Sequence, residues 1–297
     1  AATLLGQGFM AVFVAPGALK ASPAGVSGED LKGVEDMLEF LNSVNSGRLI
    51  NLEGKVAVIG GGNSALDSAR TARRMGGREV TILYRRSREQ MPAHDWEIEQ
   101  ALSEGVNIDF LVAPVAIQGP DGRVKSIRLI RMKLGAPDKS GRARPEPVAG
   151  SEFDFPVDRV ILAIGQQTDF CGLDRGLTLT KWGTIQADPV TQETSLPGVF
   201  AGGDAVTGAD TVVKAFGAGK RAAESIDRYL SGADIGSGRT GDKIIAPACY
   251  TEGMNKSPRV RETELPVPER DGNFREVVSV LSEEAARAEA ERCLGCG

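Results

Sequence analysis

The feature that most restricts the fold is a glycine turn set between two different periodicities. The apolar run Val56–Ile59 leads straight into Gly60, Gly61 and Gly62. A helical pattern follows, with Ala65, Leu66, Ala69, Ala72 and Met75 on one side, and it closes at Gly76 and Gly77. A second apolar run covers Val80–Tyr84. Short uninterrupted apolar strands are those buried on both faces of a parallel sheet. A strand–helix–strand unit of this length closes as a parallel pair with a right-handed crossover. An α/β class follows from residues 56–84 alone.

The turn itself, Gly60-Gly61-Gly62-Asn63-Ser64-Ala65, has the form G-x-G-x-x-A. In this setting Gly60 makes the tight turn and Gly62 lets the backbone approach a pyrophosphate, while Ala65 allows close helix–strand packing. The phosphates would sit on the exposed amides that open the helix, at Asn63 and Ser64. A glycine-rich turn without a ligand is the bland alternative, and the complete flanking unit favours dinucleotide binding over it. The tip of the second strand selects the nucleotide. An NAD site there carries an acid for the ribose 2′-hydroxyl. This chain carries Arg85-Arg86-Ser87-Arg88 instead, and guanidinium groups suit a 2′-phosphate. NADP(H) is therefore the expected nucleotide, with a solvated basic loop as the alternative.

A second strand–glycine pattern lies downstream. Val199–Ala201 runs into Gly202-Gly203-Asp204, and a long helix is predicted from about Thr211 to Leu230. The Asp204 carboxylate is placed where a ribityl hydroxyl of a flavin could donate to it. The helix start at Thr211 and Val212 would turn its positive end toward the flavin pyrimidine. Taken alone, this pattern fits a capped turn equally well. Outside the two patterns, strands are predicted at 9–14, 106–111 and 160–164, the last ending at Gly165. Helices are predicted at 29–41, 94–104 and 282–292. A hairpin is predicted around Gly119-Pro-Asp-Gly122, and another around Trp182-Gly183. Residues 135–150 read as a surface loop, and 231–280 as a segment wrapping over the surface.

Composition excludes several classes. The 35 basic and 40 acidic side chains leave a net charge of −5, against the basic excess of a nucleic-acid binder. No apolar run approaches the roughly 20 residues of a membrane span. One histidine, His94, makes a Ser-His-Asp hydrolase or a His-rich zinc site improbable; it reads as a solvated residue at a helix start. Glu97, Glu99 and Glu104 read as a solvated acidic face. Of four cysteines, Cys171 and Cys249 are isolated and read as inert thiols, and Cys293 and Cys296 form a C-x-x-C near the C-terminus. A chain of this size needs no disulfides, which points to the cytoplasm. The start at Ala1 and the end just after C-x-x-C-G read as a segment of a longer polypeptide or as processing.

Gly60–Ala65, Tyr84–Arg86, Glu89–Ala93, Val160–Gly165 and Pro197–Asp204, in that order and spacing, resemble the small (β) subunit of NADPH-dependent glutamate synthase and related FAD/NAD(P)-binding pyridine nucleotide oxidoreductases. The resemblance covers about residues 4–230, with a further match at 282–297. It implies two nested Rossmann-like, three-layer domains of the two-dinucleotide-binding flavoprotein type, followed by an irregular C-terminal extension. The implied boundaries are a first FAD segment at 1–52, an NADP(H) domain at 53–165, a second FAD segment at 166–232 and the extension at 233–297. It implies hydride transfer from NADPH to FAD, then single electrons to iron–sulfur clusters of a partner reductase. It also implies that Cys293 and Cys296 are the first two ligands of a 4Fe–4S cluster. Two departures stand out: the family's N-terminal G-x-G-x-x-G is absent, and its Ala-Thr-Gly is here Ala15-Pro16-Gly17. A non-catalytic nucleotide-binding scaffold or sensor without flavin is thus the competing expectation. A thioredoxin-reductase-like activity would need a cysteine pair within 54–165, where the sequence has none.

Overall fold

The apolar run at Val56–Ile59 forms the middle strand of a five-stranded sheet, and the larger part of the molecule is built around it. The computed structural model describes residues 1–48, 51–137, 141–173, 175–240 and 257–293. Along the chain these form α1 (Ala2–Gly6), β1 (Val12–Val14), β2 (Lys20–Ala21), β3 (Val34–Asp36), α2 (Met37–Asn45), β4 (Lys55–Ile59), α3 (Asn63–Arg74) and β5 (Glu79–Tyr84). There follow α4 (Asp95–Ser103), β6 (Asn107–Phe110), β7 (Val112–Gln118), β8 (Ser126–Pro137), β9 (Ala143–Pro147), β10 (Phe153–Pro156), β11 (Arg159–Leu162) and β12 (Gln166–Gln167). The last elements are β13 (Val199–Ala201), α5 (Asp204–Thr207), α6 (Val212–Ser231) and α7 (Glu283–Glu291). The chain divides into two units, Ala1–Ser22 with Gly165–Ile244, and Pro23–Ile164 with Ile245–Gly297.

In the second unit the sheet order is β3-β11-β4-β5-β6, and every pairing is parallel. Side chains alternate across it with period two. Val56, Val58, Val80, Ile82 and Ile161 face one core, together with Met37 and Phe40 of α2, Leu66 and Ala69 of α3 and Ile98 of α4. Ala57, Ile59, Leu83, Val160 and Leu162 face the other core. That core is closed by Val112 and Ile117 of β7 and Ile127 and Leu129 of β8. The antiparallel strands β7, β8, β9 and β10 thus take the place of a second helical layer. The unit is three-layered, as the α/β reading required.

Four expectations are corrected. The predicted helix at 29–41 is β3 followed by α2. Gly33 has φ +93°, and a Cβ there would lie 2.8 Å from Val124 Cγ1, so no helix passes through it. Asp36 then caps α2 by accepting the Glu39 N–H at 2.9 Å. Because β3 pairs with β11, residues 23–52 group with the sheet unit, and the boundary falls at 22/23 rather than 52/53. Residues 135–150 contain β9, which pairs antiparallel with β8. The hairpin expected around Trp182-Gly183 is present, short, as one antiparallel bridge, Leu179 to Ile185, with the Thr180 N–H donating to the Thr184 carbonyl at 2.8 Å and the Gln186 N–H to the Thr178 carbonyl at 2.9 Å. Part of the C-terminal extension is fixed rather than draped. Arg270 is buried and donates to Glu104 at 3.4 Å, to Glu264 at 2.9 Å and to the Leu265 carbonyl at 2.6 Å.

In the first unit β1 lies parallel to β13, with Phe13 opposite Phe200 and Val14 opposite Ala201. β2 pairs antiparallel with β12. Val14, Phe170, Ile185, Val199 and Ala205 form its core. The face α6 buries is small, Ala218, Ala222 and Ser225, which lets the helix lie close. Thr211 and Gly232 bound it, and Gly232 is left-handed at φ +72°, the usual helix stop.

Candidate functional site

The glycine turn closes the end of β4, and each glycine does something different. At Gly60, with φ +152°, a Cβ would stand 2.2 Å from the Ala163 carbonyl oxygen, so β11 leaves no room for one. At Gly61 a Cβ would meet the Tyr84 ring at 2.4 Å. At Gly62 nothing lies within 4 Å of that position, and φ is −88°. Gly60 and Gly61 are therefore required by packing, and Gly62 is the point where the backbone faces open space. Gly62 is also the N-cap of α3, and no side chain caps that helix. The amides at the start of α3 are thus available to an anion, and the cradle fits a pyrophosphate. Ala65 is fully buried against the sheet. Asn63 turns its Oδ1 to the His94 N–H at 3.2 Å, joining α3 to the start of α4. Ser64 gives its carbonyl to the Ser68 hydroxyl, at 2.8 Å.

At the tip of β5 the two arginines separate. Arg85 is exposed. Arg86 is buried and donates Nε to the Ala143 carbonyl at 3.0 Å. The turn after them is also tied. Gln90 accepts the Ala143 N–H at 2.8 Å through its side chain and the Tyr84 hydroxyl at 2.7 Å through its carbonyl. Arg85 fits the expected phosphate contact, while Arg86 holds protein to protein.

Glu97 and Glu99 of α4 and Glu104, its C-cap, are not one solvated face. Glu99 is exposed and pairs with Arg88. Glu104 is enclosed, bound by Arg70 at 2.7 Å, Arg74 at 2.8 Å and Arg270 at 3.4 Å. Burial opposes its ionisation, but the hydrogen bonds and charges of Arg70 and Arg74 prevail and hold it at about 2. Glu97 is half-buried, and its Oε2 is enclosed without a hydrogen-bond partner among the described residues. Burial, then the charge of Asp67, raises its pKa. Asp67 is itself raised, by burial against the pull of Arg70. His94 is exposed and stands as the N-cap of α4 without a side-chain hydrogen bond.

In the first unit, Phe13, Ala15, Gly17, Gly202, Gly203, Asp204, Asp210, Thr211, Val212 and Ala215 line a cavity of about 340 Å³. Its size falls in the range of ligand pockets. Gly203 has φ +64°, and a Cβ there would lie 3.5 Å from Ala215, so the turn into α5 favours glycine. The Asp204 carboxylate lines the cavity and accepts the Asp210 N–H at 3.3 Å. Thr211 opens α6 with no side-chain cap. The first turn of α6 presents Val212, Val213 and Phe216 at 81, 76 and 69 % exposure, an apolar patch beside uncapped amides. A carboxylate, an uncapped helix start and an apolar wall suit a flavin, and the cavity fits part of one. Asp204, Gly203, Thr211 and Val212 are brought together as the sequence implied. Phe13 was not singled out by sequence, although the parallel pairing of β1 with β13 brings its ring beside Gly202, and Gly17, noted only as part of the Ala15-Pro16-Gly17 departure, lines the same cavity. Gly165, φ +120°, lies instead at the unit boundary, giving its carbonyl to the Ser22 N–H at 3.1 Å.

Cys293 is an exposed free thiol, and Cys296 lies outside the described residues, as does Cys249. Among the described residues no group of three or more Cys, His, Asp or Glu is arranged to hold a metal. The described residues by themselves therefore do not make a cluster site. Among them, too, no helix is long and apolar enough to cross a membrane.

Comparison with known proteins places the geometry. Residues 7–219 match the pyridine nucleotide-disulphide oxidoreductase family. The β subunit of the NADP(+)-dependent formate dehydrogenase of Moorella thermoacetica is 47 % identical over 304 residues, 98 % of this chain and 43 % of that protein. The β subunit of the NADPH-Fe(3+) oxidoreductase of Geobacter sulfurreducens is 40 % identical, covering 98 % of this chain and 49 % of its own. The glutamate synthase (NADPH) small chain of Escherichia coli is 37 % identical over 74 % of this chain and 50 % of its own length. This chain thus spans about half or less of these relatives. Among solved structures, Mycobacterium tuberculosis FprA in complex with NADPH superposes with a TM-score of 0.64 at 20 % identity, over 77 % of this chain and 66 % of FprA, a likeness of fold.

Proposed function

The chain belongs to the pyridine nucleotide-disulphide oxidoreductase family, and on that premise we propose that it is the NADPH- and FAD-binding electron-input part of a larger oxidoreductase. In this reading a hydride passes from NADPH to FAD, and electrons then pass to iron–sulfur clusters of a partner reductase. The observation that carries it is the glycine turn: an uncapped helix start, open at Gly62, with a free-standing guanidinium, Arg85, at the neighbouring strand tip. Relatives named for NADP(+) or NADPH support the nucleotide choice.

The chain's own residues have definable tasks. The amides of Asn63 and Ser64 would hold the nucleotide pyrophosphate, and Gly62 keeps the approach clear. Arg85 would pair with the 2′-phosphate. Asp204 would accept a hydroxyl of the flavin side chain, and the α6 terminus would place positive potential beside the ring. FAD, when bound, supplies the exchange between a two-electron hydride and single electrons. No acid or base is needed for this, so positioning is the protein's contribution. Cys293 and Cys296 would be two of about four ligands of a 4Fe–4S cluster, the others coming from outside residues 1–297. The free thiols Cys171 and Cys293 agree with a cytoplasmic location.

A flavin-free scaffold is the second reading. It is favoured by Pro16 beside the cavity, which supplies neither a hydroxyl nor an amide N–H. The deciding experiment is anaerobic titration of the natively purified complex with NADPH and with NADH, followed by visible absorption. The expected result is a flavin spectrum bleached by NADPH at concentrations well below those needed for NADH. Arg85→Ala should remove that preference, and Asp204→Ala should lower flavin content. A colourless complex, or equal response to both nucleotides, overturns the proposal.

A further inference from the structure

We infer that the cavity between the last turns of α3 and α4 and residues 267–271 is a binding site for a phosphate group, free or as the monoester of a small molecule, held by Arg73, Arg74 and Arg270. It lies at the opposite end of α3 from the glycine turn, within the same unit, and is independent of the NADPH reading.

The cavity measures about 460 Å³, in the range of small-molecule sites. Arg73 and Arg74 come from the last turn of α3, where a cation opposes the helix dipole. Arg270 comes from the extension, beside Val267 and Pro268, which supply an apolar wall. Glu104 and Asp271 are the acids that line the cavity. Its enclosed part is unevenly charged. Arg70, Arg74 and Arg270 share the single carboxylate of Glu104, and all four side chains are largely buried. Glu264 on Arg270 and Asp271 on Arg73 are half-exposed, where solvent weakens their pull.

Donors remain unspent. Arg74 gives Nε and Nη2 to Glu104, at 3.2 and 2.8 Å, and its Nη1 has no partner among the described residues. Arg73 meets Asp271 only at 3.3 and 3.5 Å, longer than the ~2.7–2.9 Å of a well-made charged hydrogen bond, and its Nε is likewise without a partner among them. That Nε lies 3.7 Å from where a Cβ on Gly105 would stand, so Arg73 folds back over the end of α4. Asp271 thus occupies, loosely, the place of a stronger anion. A phosphate monoester carries up to about two charges and three acceptor oxygens, and guanidinium forks match it bidentately. A dianion also answers the surplus of positive charge around Glu104.

The test is calorimetric titration of the full protein as purified, in a phosphate-free buffer at fixed chloride, with inorganic phosphate and with glycerol 3-phosphate as probes. The wild type should bind both. Arg73→Gln should weaken both about tenfold or more, the scale of a charged hydrogen bond. Asp271→Asn, which removes the competing acid, should tighten both about threefold. The two side chains are 31 and 58 % exposed, so thermal melts of both variants should match wild type. A merely structural Arg73–Asp271 pair cannot give opposite signs, since losing either half of it would act alike. Tighter binding of glycerol 3-phosphate supports the site with a monoester as its ligand, and tighter binding of inorganic phosphate supports it with the free ion. A wild type that takes up neither probe overturns the proposal. So does binding that neither variant alters, which puts the phosphate elsewhere on the protein, and so does weakening by both variants alike.

Discussion

Replacing Glu104 by glutamine removes one charge from the best-enclosed ionic cluster of the described residues, and the structure sets the size of the effect. The carboxylate is held by Arg70, Arg74 and Arg270, and its pKa falls from 4.5 to about 2. At about 1.36 kcal/mol per unit, that depression corresponds to ~3 kcal/mol of folding stability at neutral pH. The Glu104 side chain is only 3 % exposed, so solvent screening takes little of it. The sign follows from the direction of the shift. A carboxyl whose folded pKa lies below its unfolded one contributes fully above about pH 4.5, loses the contribution as pH falls, and has none left below about pH 2. Glu104→Gln should therefore unfold in urea with ~3 kcal/mol less stability than wild type at pH 7, at unchanged slope. By about pH 3 the difference between the two proteins should have fallen to less than half. Trp96, on α4 of the same unit, offers a fluorescence probe of its unfolding. A loss below about 0.5 kcal/mol, the range of ordinary surface substitutions, would refute the reasoning. So would a difference that is the same at pH 7 and pH 3.

Two further perturbations separate packing from binding. Gly61→Ala should lower stability by ~1–3 kcal/mol, because its Cβ would meet the Tyr84 ring at 2.4 Å. Gly62→Ala, with nothing within 4 Å, should leave the melting temperature unchanged and weaken nucleotide binding about tenfold or more. Thermal melts and nucleotide titrations of the pair check this, and a Gly62→Ala protein that binds normally contradicts the pyrophosphate role. For the cysteine pair, Cys293→Ser/Cys296→Ser in the natively purified complex should lower iron and sulfide content and alter the low-temperature EPR signal. Unchanged iron in that double variant rejects the cluster assignment.

Local sequence determined what depends on local chemistry. The run Val56–Tyr84 encodes strand, turn, helix and strand through periods of two and 3.6 and through Gly60 and Gly61, where packing leaves no room for a side chain. The structure realises each of them within one or two residues. The G-G-D turn and the helix from Thr211 were legible for the same reason. Tertiary structure decided whatever depends on partners distant in the chain. Leu31, Val34, Leu38 and Leu41 have helical spacing, yet Val34–Asp36 became a strand because β11 offers it a ladder and Gly33 fits only beside Val124. Residues 143–147, polar and proline-rich, became a strand because β8 supplies their hydrogen bonds. Arg85 and Arg86 are indistinguishable as letters; one is exposed and the other is buried on a carbonyl 57 residues away. Glu97, Glu99 and Glu104 look like one acidic face, but Arg70, Arg74 and Arg270 enclose only the last of them. Periodicity reports which side of an element is apolar, whereas the partner of a charge is chosen by packing across the whole chain, and no window of sequence contains it.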